Sequence, residues 1–103
     1  MERRTDGQYR VLREPKGGAD AVVVGYEDEI PTLTRAANIL SVQGFVCRIV
    51  LLNDGAERKS LPAALLPEDV PSGGMRAFGE AADIAAEELA AKLRKEILIH
   101  AGL

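Results

Sequence analysis

The sequence predicts a small α/β domain with a mainly parallel sheet in two layers or three, built on one βαβ unit and closed by a long C-terminal helix. Three observations carry this prediction. Ala21–Gly25 and Val46–Leu52 are short apolar runs rich in β-branched residues on either side of a helical pattern, and strands buried on both faces read as such unbroken runs. The C-terminal stretch 80–101 is rich in Ala, Glu, Leu and Lys, which are strong helix formers. Aromatic residues are 4% of the chain against 47% apolar overall, with no Trp, and small aliphatic side chains suit helices lying close on a sheet better than a β-sandwich. A chain of 103 residues has room for a single core, so one domain over 1–103 is expected.

The elements follow in order. Gln8–Glu14 alternates Tyr9, Val11 and Arg13 with Arg10, Leu12 and Glu14, the pattern of an edge strand with mixed faces. Pro15-Lys16-Gly17-Gly18 ends it. Ala21–Gly25 is the central strand. Beyond it Ile30, Leu33, Ala36, Ala37 and Leu40 fall on one helical face, Pro31 suits a first turn, and the acids before it favour a helix start. Gly44 is placed to cap the C-terminus. Phe45–Leu52 reads as the next strand, with a right-handed crossover expected between the two.

From Asn53 to Gly74 the pattern dissolves into Asn53-Asp54-Gly55, three prolines and Ser72-Gly73-Gly74, which predicts a loop with one helical turn at Leu61–Leu66. In the last stretch Ala82, Ala86, Leu89, Leu93, Ile97 and His100 lie near heptad spacing. At about 1.5 Å per residue this helix would be roughly 30 Å long, more than so small a sheet is wide. An overhang would leave Leu93, Ile97, Leu98, Ile99 and Leu103 as exposed apolar surface, with Leu89, Leu93, Ile97 and His100 as an interface for another chain, unless the helix lies along its own core.

Composition narrows the function classes. A formal charge of −3 and a pI near 5.1 give no basic footprint for nucleic acid. Cys47 is the single cysteine and His100 the single histidine, so neither a disulfide framework nor a zinc site is expected. No apolar run approaches the roughly 20 residues of a membrane span, and the start lacks the apolar segment of a signal peptide. A cytoplasmic setting without membrane contact is the expectation.

Candidate chemistry is sparse. The turn Gly25, Tyr26, Glu27, Asp28, Glu29 stands where open α/β sheets bind ligands, beyond the carboxyl end of a strand. Its three acids would repel a phosphate, and no glycine-rich phosphate motif is present. They offer hard oxygens to a divalent cation, but successive residues rarely converge on one ion, so helix capping is the preferred reading and no metal is expected. Cys47 lies mid-strand as a small hydrophobe. Ser41, Ser60 and Ser72 lack an activating motif. Arg48, Arg58, Lys59 and Arg76 are scattered bases that usually face solvent.

The run Tyr9–Glu14, a glycine-rich gap, Asp20–Ile30, Ala36-Ala37-Asn38-Ile39-Leu40, Gly44-Phe45 and Cys47–Leu52 resembles the start of the C-terminal domain of transketolase. In that family a strand ends in a Gly-Ser-Glu-Val type turn, a helix carries paired alanines before a leucine, and a Gly precedes a Val-Arg-Val-Val type strand. Phe78-Gly79 before an Ala-rich helix is similar to the family's last helix. The family's further strand has no counterpart read between Asn53 and Gly74, so a smaller sheet is expected. Nothing here resembles the Gly-Asp-Gly motif that accompanies thiamine diphosphate, and no cofactor is expected. The resemblance implies the fold, a cytosolic setting and a role in subunit contacts without the activity. A weaker likeness joins Gly25–Ile39 to the first turn and helix of phosphoribosylaminoimidazole carboxylases, which have serines where this turn has acids.

Two readings result. In one the chain is a non-catalytic module that pairs with itself as a dimer or docks on a separate subunit. In the other it binds a small molecule, or is a minor enzyme, with its site between the turn at 25–30 and the loop at 53–74.

Overall fold

The computed structural model describes residues 9–53, 61–67, 70–74 and 85–100. They form β1 (Tyr9–Arg13), β2 (Ala21–Tyr26), α1 (Ile30–Val42), β3 (Cys47–Leu52), β4 (Ser72–Gly74) and α2 (Ala86–His100), with short 3-10 turns at Glu27–Glu29 and Ala63–Leu65. The four-stranded sheet runs β1-β3-β2-β4. β2 lies parallel to β3 and to β4, while β1 pairs antiparallel with β3. The expected mixed edge strand, buried central strand and βαβ unit are all present.

Alternation along β2 and β3 divides the core between two faces. Ala21, Val23, Cys47, Ile49 and Leu51 point to the face covered by both helices, where Leu33, Leu40, Leu89 and Leu93 meet them. Val22, Val24, Val50 and Leu52 point the other way, under Leu61 with Leu65, Leu66 and Val70 packed around them. Helices therefore make one layer and the sheet another, and Leu61, Leu65, Leu66 and Val70 supply a thin cover for the second face.

The sequence signals act locally as physics dictates. α1 starts with Pro31 in its first turn, where a missing N–H costs no helical bond. It ends in a Schellman motif: Phe45 N donates to Leu40 O at 2.9 Å and Gly44 N to Ser41 O at 3.0 Å. Gly44 takes a φ of +96° there, a conformation that costs glycine nothing. The Asp20 carboxylate accepts from Val46 N at 2.9 Å and so ties the start of β2 to the entry of β3. Arg48, whose side chain is 12% exposed, clamps the second face by donating to both oxygens of Glu14 at 2.8 and 2.9 Å and to Leu65 O at 2.9 Å.

Two expectations are corrected. Ser72-Gly73-Gly74 is a strand, paired in register Val22↔Ser72, Val23↔Gly73 and Val24↔Gly74. Turn-like composition hides it, and the reason for the composition is steric. A Cβ on Gly73 would stand 3.3 Å from both Leu89 Cδ1 and Leu93 Cδ2, so glycine lets α2 settle on the strand. The second correction concerns α2. Leu89 and Leu93 are 0% and 2% exposed in this chain's own core and Ile97 packs against it, so these three are turned toward the chain's own core, while His100 is exposed. Ala82 and the expected start of that helix lie outside the described residues.

Candidate functional site

The turn after β2 is built by the strand's end and the start of α1. Tyr26 N donates to Glu29 Oε1 at 2.9 Å, so this carboxylate folds back on the backbone that precedes its own 3-10 turn. Glu29 is 7% exposed. Gly25 makes room for it, since a Cβ there would stand 2.8 Å from Glu29 Oε1 and 2.8 Å from Leu33 Cδ1. Glu27 is exposed and accepts from Arg10 Nη2 at 3.0 and 3.1 Å, which joins the turn to the edge strand. Asp28 is exposed. The structure thus brings Gly25, Tyr26, Glu27 and Glu29 together, with Glu27 held by Arg10 and Glu29 by the Tyr26 backbone. Among the described residues no cluster of acids, His and Cys is arranged to hold a metal ion.

Cys47 is 3% exposed, and burial pushes its thiol up to about 11, with Asp20 adding to the rise and Arg13 opposing it. The thiolate required of a nucleophile is therefore suppressed at neutral pH. His100 is exposed in the last turn of α2, the position where a cation favours the helix dipole. Ser41 is exposed at the end of α1. Arg58, Lys59, Ser60 and Arg76 lie outside the described residues, as do 54–60 and 68–69 of the long loop. No helix of the described residues is long and apolar enough to cross a membrane.

The grooves with described walls lie on the helical side. One of about 440 Å³ follows the α1–α2 boundary between Ile39, Gln43, Ala91, Arg94, Lys95 and Leu98. Another of about 610 Å³ runs along the outer side of α1 past Ile39 and Val42. Val42 is 90% exposed and Ile99 56%, and Val11, Leu12 and Val46 are exposed as well, so uncovered apolar side chains occur on the helices, on β1 and just before β3. Ile99 is one of the residues expected to be exposed on the last helix; Val42, the last residue of α1, is not among those the sequence pattern singles out.

This arrangement of strands and helices recurs in solved transketolases. A mutant transketolase from Pichia stipitis in complex with xylulose 5-phosphate superposes with a TM-score of 0.66 at 19% identity, over 95% of this chain and 19% of that one. A complex of the same organism's enzyme with sedoheptulose 7-phosphate gives 0.65 at 16% identity, over 92% and 18%, and a mutant with fructose 6-phosphate gives 0.67 at 16%, over 95% and 19%. The chain has the fold of one stretch of transketolase. At these identities the likeness shows the fold alone, and the chain spans about a fifth of the length of those enzymes, 19% in the first case. No family model and no curated protein matches the sequence.

Thiamine diphosphate does not fit the turn at Gly25–Glu29. The buried Glu29 carboxylate stands at its base, within 2.8 Å of the point a Gly25 Cβ would reach. A diphosphate entering there would meet like charge from Glu27 and Asp28 as well.

Proposed function

We propose that the chain is a non-catalytic assembly module of the transketolase C-terminal type, which works by pairing with a second copy or by docking on a separately encoded subunit. The observation that carries this reading is the match of nearly the whole chain, 95%, to a stretch that makes up 19% of a much larger enzyme. The turn supports the same conclusion, because Glu27 and Glu29 are spent on Arg10 and on the Tyr26 backbone. The uncovered apolar side chains Val42 and Ile99 lie where a partner would meet them. A cytosolic setting accompanies this proposal.

The test is to mix the purified chain with xylulose 5-phosphate, the sugar phosphate in one of the similar transketolases, together with thiamine diphosphate and magnesium. Neither binding nor turnover is expected from the chain alone. Turnover would overturn the non-catalytic reading. Binding that disappears in Glu29→Gln would favour the small-molecule alternative at the 25–30 turn.

A further inference from the structure

We infer that the outer face of α2 is a self-complementary surface that receives a second copy of this chain in antiparallel orientation, with Ala91 at the two-fold axis. The inference rests on the assembly reading and narrows it to one surface and one occupant.

Residues three and four apart share a helix face, so Glu87 and Glu88, Ala91, Arg94 and Lys95, and Leu98 form one stripe. All but the half-buried Leu98 are exposed, and the stripe borders the groove of about 440 Å³ that Ile39 and Gln43 close from the α1 side. Charge along the stripe is divided: acids precede Ala91 and bases follow it. Glu88, Arg94 and Lys95 form no ion pair with any described residue, whereas Glu87 is held by Arg35 at 2.6 Å. The hydrogen bonds from Arg35 lower the Glu87 carboxyl below its ordinary value, so it stays charged.

A two-fold axis at Ala91 keeps each residue on its own side of the stripe, so it places Glu88 beside the second copy's Lys95 and Glu87 beside the second copy's Arg94, and each pairing occurs twice. A parallel copy would set acids over acids and bases over bases. The small side chain at the axis lets the helices approach closely, while Leu98 of each copy adds apolar area beside the charges. Opposite charges across such a surface fix orientation and register more than they supply raw affinity.

The experiment uses the full chain with Lys95→Glu and, separately, Glu88→Lys. Both positions are exposed, and circular dichroism with thermal melting checks that each variant stays folded. Native mass spectrometry and light scattering should show a wild-type dimer, and each variant should associate at least about tenfold more weakly, since two pairs become repulsive in each homodimer. Mixing the two variants should restore a dimer containing one of each, because every acid then faces a base. A wild-type dimer that survives Lys95→Glu unchanged would overturn this surface while leaving self-association intact. A wild-type monomer at every concentration would overturn both.

Discussion

The Glu29 carboxylate lies against Gly25, its Oε1 standing 2.8 Å from the point where a Cβ on that glycine would be. The glycine therefore serves a close approach, and the acid serves the backbone of Tyr26 at 2.9 Å. Gly25→Ala should cost about 1–3 kcal/mol, since a methyl group must displace the carboxylate or Leu33. Glu29→Ala should cost about 1 kcal/mol for the lost cap, while Glu29→Gln, which keeps the acceptor, should cost less. Urea unfolding of the three variants checks the order. Gln destabilising as much as Ala would contradict the capping role.

Leu93 separates a core from an interface. At 2% exposure and in contact with the β4 backbone side, its truncation to Ala should destabilise the chain by about 2–5 kcal/mol. Leu98→Ala, on the outer face, should cost under about 1 kcal/mol. Denaturant titration decides between them, and equal small losses would mean that α2 does not pack as described.

The edge strand, both central strands, the βαβ unit and α1 with its cap were legible in the sequence. Each carries its own signal in consecutive residues: β-branched runs, Pro31 in the first turn, Gly44 past the last. β4 was not legible. Its reason for being glycine lies in Leu89 and Leu93, far along the chain, and only the packed helix reveals it. The turn's five residues were picked out from topology, and the capping reading agrees with the Glu29 carboxylate accepting from Tyr26 N. The sequence left open whether the α2 heptad face meets another chain or its own core, because heptad spacing states which residues share a face and not which neighbour that face meets.

Cys47 should resist thiol reagents in the folded state at neutral pH and react on unfolding. Its thiol rises from 9.0 to about 11 on folding, so the unfolded chain loses this proton first as pH increases. Its contribution to stability is whole below about pH 9 and falls through about pH 11, by up to roughly 2–3 kcal/mol. Cys47→Ala should flatten that alkaline decline, which chemical denaturation between pH 8 and 11 would show. An unchanged slope would contradict the assignment.

Arg48 joins Glu14 and the Leu65 carbonyl, and with them the cover over Val22 and Val24. Arg48→Lys cannot reproduce the paired bonds to Glu14 and should lower stability by about 1–2 kcal/mol. Amide hydrogen exchange should also quicken at Leu65 and Leu66 in that variant. Loss of stability without faster exchange there would place the role of Arg48 elsewhere.

The measurement that tests the assembly account most directly is the solution mass of the unmodified chain by light scattering over a wide concentration range. The account predicts a mass that settles at twice 11.0 kDa as concentration rises. A mass fixed at the monomer throughout would contradict self-association and would leave docking on a separate subunit as the remaining form of the proposal.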